Sequence, residues 1–427
     1  MKKNIISALV VSTLIGTTFF GHSVSAADEA EGTKKFEGQT LTVQVGNGDP
    51  NAEFYDSIKN EFEEMTGATV KFETPSGEAL TAELMAQSGY YDVLTMDGPN
   101  IPQYASLGYI MSLDDKLTDE DKTDFYEASL GTVSYDNSVY ALPYLVHGPV
   151  LYYRTDLFEK AGIDHAPETV EEYLEMSQKL TDEENGIYGT IIEGQQNTEC
   201  VSQLMDKLLQ FGTQIVDPDD PSKILFGDDK TKEAFEYIMK FYESGCVPKE
   251  SASYSNTDVQ NMFLEGKLAI ACNWPYMWSM CNDEEYSKVV GKVAVAPQPV
   301  TNAVWSWSFA VCNHSKNKDL AYEWCKWATS TDVLARFSAK FKFPVTRSSA
   351  VEAIKDLIDD QADIDTFQAF SKCLENATAP TLSTNFEELR VRVSESLNRI
   401  TTGAAGDINE ELDTCAKDLQ SMLDEAW

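Results

Sequence analysis

"LTVQVGNGDP", Leu41 to Pro50, alternates apolar and polar residues and then stops in a Gly/Asn/Asp/Pro run, which reads as a strand ending in a turn. "NAEFYDSIKNEFEEMTG", Asn51 to Gly67, follows as an amphipathic helix closed by glycine. "ATVKFETP", "GEALTAELMAQSG", "YDVLTMD" and "NIPQYASLG" then read as strand, helix, strand and helix. Alternation at this spacing predicts a mainly parallel sheet covered by helices, and in such sheets ligands gather at the carboxyl ends of strands. Asn47, Asp49 and Asp97 occupy those ends.

Further along, "TVEEYLEMSQKLT", "VSQLMDKLLQFG" and "TKEAFEYIMKFYESG" carry apolar residues three and four apart and predict a helix-rich second lobe. "KVAVAPQPV" is a strand broken by two prolines, "WSWSFAVCN" begins another strand, and "NKDLAYEWCKWATS" is a helix. "RFSAKFKFPVTRSS" interrupts helix with a proline, and helices then run to Trp427. No period of 20 to 50 residues repeats.

The start, "MKKNIISALVVSTLIGTTFFGHSVSAADEAEG", has two lysines, a diluted apolar run and the small-residue site Val24-Ser25-Ala26, so residues 1–26 read as a secretory signal peptide. Residues 27–37 read as a flexible acidic N-terminus. No cysteine precedes Cys200, so a lipid-modified cysteine is not expected, and the protein is placed in the periplasm or cell envelope. With Lys2 and Lys3 removed, 31 basic residues face 70 acidic ones, a net −39 that disfavours nucleic acid and anionic membrane surfaces. Eight cysteines without a CxxC read better as buried thiols than as a disulfide framework. His147, His165 and His314 show no helical ligand spacing, and neither GxxxxGK[ST] nor GxSxG occurs, so no metal, cofactor or nucleophile motif is expected.

Six segments in order carry a resemblance: "VGNGDPNAEF", "YDVLTMDGPNIPQYASLGYIMSLDD", "VYALPYLVHGPVLYYRTDLFEKAGIDHAPETVEEY", "MFLEGKLAIACNWPYM", "WSWSFAVCNHSKNKDLAYEWCKW" and "KFPVTRSS". The chain resembles the carbohydrate-binding extracellular solute-binding proteins of ABC importers, the family of maltose-binding protein. That resemblance implies an α/β, two-lobed periplasmic-binding-protein-like fold of type II, each lobe a mainly parallel sheet flanked by helices. Residues 38–145 and 299–342 would form the N-lobe, and residues 146–298 and 343–427 the C-lobe. Three crossings, near 144–149, 296–300 and 340–346, would form the hinge, and proline marks each of them.

In "CNWPYMWSM", Cys272 to Met280, Asn273 reads as a helix cap and Pro275 as an early helical residue, so Trp274 stands at a strand end facing the cleft. The resemblance makes Trp274 a sugar-stacking platform, because a pyranose offers an apolar C–H face to a ring. Trp278 reads as core, and Tyr276 stays open. Trp307 matches a cleft tryptophan of the family, and Trp305, two residues earlier on the same strand face, either lines the cleft with it or packs beside it. Asp97 matches a carboxylate position, while Asn47 and Asp49 match the polar turn after the first strand or are a tight turn only. His147 stands where the family carries an acid, which points to a different hydroxyl pattern or a smaller ligand. Tyr144 is a stacking candidate. Gln195, Gln196 and Asn197 form an amide-rich loop, and Arg347 either bonds ligand or braces the hinge.

The expected function is extracytoplasmic carbohydrate binding and delivery to the permease subunits of an importer, by a monomer without catalysis. A cationic ligand such as a polyamine is the alternative that the acidic charge supports, because carboxylates and rings suit a cation. A sugar alcohol is a further candidate. A secreted glycosidase would need two carboxylates flanking one bond, and no motif arranges that.

Overall fold

The computed structural model describes residues 34–46 and 50–426. The expected signal peptide lies outside the described residues, and so do Asn47 and Asp49.

Ten strands are described: β1 (Thr40–Gln44), β2 (Thr69–Glu73), β3 (Val93–Asp97), β4 (Ser134–Tyr135), β5 (Ser138–Val139), β6 (Ala141–His147), β7 (Val150–Arg154), β8 (Ile270–Asn273), β9 (Val293–Ala296) and β10 (Trp305–Val311). Their apolar positions explain the layers. Leu41, Val43, Val93 and Leu94 are fully buried, and the helix Pro50–Thr66 lays Phe54, Tyr55 and Phe62 over the sheet. Gly67 ends that helix at φ +79°, and a Cβ there would meet the Lys34 side chain at 2.8 Å.

The first lobe has a five-stranded sheet in the order β2-β1-β3-β10-β6, and the second has β8-β7-β9. β1 is parallel to β2 and β3, whereas β10 is antiparallel to both of its neighbours. β7 likewise runs antiparallel to β8 and β9, so the second-lobe sheet is not the mainly parallel one expected from the sequence. The reversed strand in each sheet is the one that has just arrived from the other lobe. A chain entering across the cleft must run away from it, while strands within strand–helix–strand units run toward it. The cleft therefore receives the ends of β3, β6 and β8 and the beginning of β10.

Gly148 and Pro149 link β6 to β7, and residues 297–304 link β9 to β10. The third return differs from the sequence expectation. Residues 343–354 stay on the first lobe, where the helix Ser348–Ile354 packs on the helix Thr331–Phe341. The Arg347 guanidinium fixes that placement through Thr329, Asp121 and Asp124. The chain leaves after Ile354 for the helix Gln361–Glu375, which contacts β9, and the helices Phe386–Thr401 and Ile408–Ala426 complete the second lobe. All eight cysteines are buried and unpaired.

Candidate functional site

A cavity of about 640 Å³ opens between the two sheets. Asp97, His147, Trp274, Tyr276, Trp305 and Trp307, all singled out in the sequence, line it together. Strand register explains half of this convergence: Trp307 is the cross-strand partner of Asp97, and Trp305 that of His147. One end of β10 thus holds two rings beside two titratable groups.

The second lobe supplies the turn after β8. Asn273 Oδ1 accepts from the Trp274 N–H at 2.8 Å, and its Nδ2 donates to the Asn256 carbonyl at 2.9 Å. Tyr152 Oη donates to the Trp274 carbonyl at 2.9 Å. These bonds, not a helix cap, fix the turn: the short helix begins at Met277, so Asn273 ends a strand and Pro275 precedes the helix. Trp278 faces the core as expected, 3% exposed, with its Nε1 donating to Asp363 at 2.7 Å.

The rings differ in what covers them. Trp274 is only 7% exposed: it packs in the core of the second lobe, and His147 lies against it with centroids 4.7 Å apart. Trp305 packs on Phe386 and under the Arg390 guanidinium, whose Cζ is 5.3 Å from the ring centroid. Trp307 and Tyr276 are half-buried and keep more of their surface toward the cavity.

Arg390 was not singled out from the sequence. It reaches the cavity from the helix Phe386–Thr401, held by Glu387 at 2.7 Å, the Ser202 hydroxyl at 2.8 Å and the Thr198 carbonyl. Glu199, Ser202, Asn256, Phe343, Leu145 and Asn51 also line the cavity without having been predicted. A signal for Arg390 existed: it falls four residues after Phe386 and three before Val393, on the buried stripe of its helix. A charge on an apolar stripe asks for a reason.

Burial pushes the Asp97 carboxyl up to about 7; Arg390 and the Gly98 N–H pull it down, while Glu387 and Glu199 push it further up. Burial also drives the His147 imidazole down to about 4, so it is neutral and offers one donor and one acceptor near pH 7. Two donors, Trp305 Nε1 and Arg390 Nε, are buried with no protein acceptor among the described residues.

The structure places two candidates outside the cavity. Tyr144 is 1% exposed and stacks on Phe309 at 4.6 Å, on the sheet face opposite its β6 neighbours Leu145 and His147. Arg347 lies over the Phe125 ring at 3.8 Å and pairs with Asp121 and Asp124 at 3.2 Å each, bracing the first lobe. The amide loop does not line the cavity: Asn197 Oδ1 caps the helix Thr198–Gln210 by accepting from the Cys200 N–H at 2.8 Å, and Gln195 Nε2 donates to the Ser253 carbonyl.

Such a site is suited to binding a polyhydroxylated molecule: flat rings offer stacking faces, and carboxylates, an arginine, an imidazole and amides surround them at the scale of hydroxyl recognition. Comparison with known proteins agrees. The sequence model of the family described as bacterial extracellular solute-binding protein matches residues 46–335. The chain is 25% identical over 341 residues to the diacetylchitobiose binding protein DasA of Streptomyces coelicolor, covering 77% of this chain and 79% of that one. It is 26% identical over 347 residues to the galactooligosaccharide-binding protein of Bacillus subtilis, covering 78% and 75%. Among solved structures, a solute-binding protein of Agrobacterium radiobacter K84 in complex with ribitol superposes with TM-score 0.72 at 26% identity, covering 91% of this chain and 100% of that one. Maltose-bound MalE3 of T. maritima shares the fold with TM-score 0.71 at 22% identity, covering 90% and 99%.

Proposed function

This chain belongs to the bacterial extracellular solute-binding proteins, and from that premise we propose that it binds a carbohydrate in the cleft between its lobes and delivers it to the permease of an ABC importer. The observation that carries this reading is the pairing of Trp307 with Asp97 and of Trp305 with His147 across β10, facing Trp274, Tyr276 and Arg390 from the second lobe. Rings would take the apolar faces of a sugar, and Asp97, Glu199, Asn256 and Arg390 its hydroxyls. The protein acts without turnover, outside the cytoplasm and as a monomer. The named ligands of its relatives, from ribitol to galactooligosaccharide and diacetylchitobiose, span sugar alcohols and oligosaccharides, and both belong to the proposed class.

A cationic ligand is the second reading. Glu387 already neutralises Arg390, which leaves Asp97 and Glu199 beside the rings. Calorimetric titration with neutral mono- and oligosaccharides, sugar alcohols and spermidine tests both. A neutral polyhydroxylated compound is expected to bind and to be recovered intact; binding of spermidine alone would replace the first reading by the second.

A further inference from the structure

The first two links that carry the chain between lobes touch each other and are gripped by one side chain. A Cβ on Gly148 would run into the Ala303 carbonyl and the Asn302 amide, so only glycine lets the first link lie against the second. Asp206, fully buried on the helix Thr198–Gln210, accepts the Ala303 N–H through Oδ1 at 2.8 Å and Gln298 Nε2 through Oδ2 at 2.7 Å. Gln298 Nε2 also donates to the Pro149 carbonyl at 3.2 Å, and Gln210 Nε2 to the Thr301 carbonyl at 3.2 Å. One helix of the second lobe therefore holds the first link and both ends of the second.

The other end of that helix opens on the cleft. Glu199 and Ser202 line the cavity, and Ser202 with the Thr198 carbonyl holds Arg390. Ser202 and Asp206 are one helical turn apart, so a shift of the helix at the ligand end is a shift at the hinge end. The second link also stores strain: Val300, a β-branched residue, is held at φ +66° in the left-handed region. Its side chain is 61% exposed, so packing does not impose that conformation.

We propose that the helix Thr198–Gln210 is the lever of the hinge and that Asp206 is its positioning residue, setting the angle between the lobes by holding Ala303 directly and Pro149 through Gln298. Burial pushes the Asp206 carboxyl up to about 8, against the Lys207 ammonium beside it and the hydrogen bonds from Ala303 and Gln298. So costly a group is retained where a leucine would pack more cheaply, which fits a role in geometry rather than in bulk stability.

The test needs no ligand and so stands apart from the carbohydrate reading. Spin labels on cysteines placed at exposed Met85 in the first lobe and exposed Tyr286 in the second report the interlobe distance by pulsed electron resonance, the native cysteines being buried. In Asp206→Val the distance distribution is expected to widen and the Ala303 amide to exchange about tenfold faster, as for one lost buried hydrogen bond. Asp206→Asn, which keeps one acceptor, is expected to fall between Asp206→Val and the parent. Gln298→Leu removes the tie to Pro149 along with the bonds of Gln298 to Asp206, Cys272, Lys207 and Gln210, leaves Ala303 held by Asp206, and decides the matter if Asp206→Val does not fold. A folded Asp206→Val, or a Gln298→Leu in its place, with the parent's distance distribution and merely a lower melting temperature would reduce Asp206 to an ordinary core group and overturn the proposal.

Discussion

The turn after β8 and the first residues of β10 bring tryptophans into one cavity from opposite lobes, and they do so differently. Trp307 enters on a strand whose register is locked on both sides, and its ring is half-buried with no aromatic ring stacked on it among the described residues. Trp274 enters on a turn fixed by Asn273 and Tyr152, and its ring is covered by His147 of the opposite lobe. Position at a strand end decides whether a ring reaches the cleft. What packs over it decides how much of its face is exposed: Trp307 is half-buried, whereas Trp274 is buried against His147.

The largest effect sharpens this comparison from outside the cleft. Trp278→Ala empties a core site and removes the bond to Asp363, and it is expected to lower stability by about 3–5 kcal/mol in chemical denaturation. Trp274→Ala is expected to lose less stability and more affinity. If the two variants lose stability equally with affinity intact, Trp274 belongs to the core as well.

Arg347 and Arg390 should part in the same way. Arg347→Ala leaves Asp121 and Asp124 partly buried without their cation and should cost about 3 kcal/mol of stability, with ligand affinity unchanged. Arg390→Ala, melted and titrated beside it, should weaken ligand binding as well.

The pH dependence addresses the Trp307 side. A carboxyl whose pKa is raised on folding binds more protons folded than unfolded. The stability it contributes is complete below about pH 4 and is lost as pH climbs through about 7 for Asp97. Since that carboxyl partly faces the cleft, Asp97→Asn should gain about 1–3 kcal/mol over the parent at pH 8 and nearly nothing at pH 4, read from urea curves. His147 acts oppositely: its depressed pKa gives stability present above about 6.5 and lost as pH falls through about 4. Asp97→Asn curves parallel to the parent's at both pH values would mean that the carboxyl is well solvated.

Salt gives the smallest expected effect. Affinity for a neutral sugar should change less than about twofold between 0.05 and 0.5 M salt, whereas a cation drawn by Asp97 and Glu199 would weaken steeply.

What could be read in the sequence follows from range. Strand ends are local features, so Asp97 and Trp274 were nameable from turns and strand ends, whereas His147 and Trp307 came from the family resemblance and Trp305 from its place two residues before Trp307; β1, β2, β3 and β10 lie where the sequence pattern put strands. Glu199, Ser202, Asn256 and Phe343 were not, because each reaches the cavity through the packing of a whole helix or loop, and their own sequence context is that of any helix start or connection. Tyr144 misled for a related reason. Both faces of β6 are buried, so hydropathy did not say which face met the cleft, and only the alternation with Leu145 and His147 does. Arg347 stands beside a proline-marked segment that resembles a crossing, yet three hydrogen bonds bind it to the first lobe.

The most direct test of the central claim is a calorimetric titration of the parent, Trp307→Ala and Trp274→Ala with the tightest neutral sugar or sugar alcohol from the panel. Each variant is expected to fold, with a dissociation constant about 5- to 1000-fold higher, the scale of a hot-spot aromatic, and the larger rise in Trp307→Ala. Parent-like affinity in both variants would contradict a carbohydrate platform in this cleft.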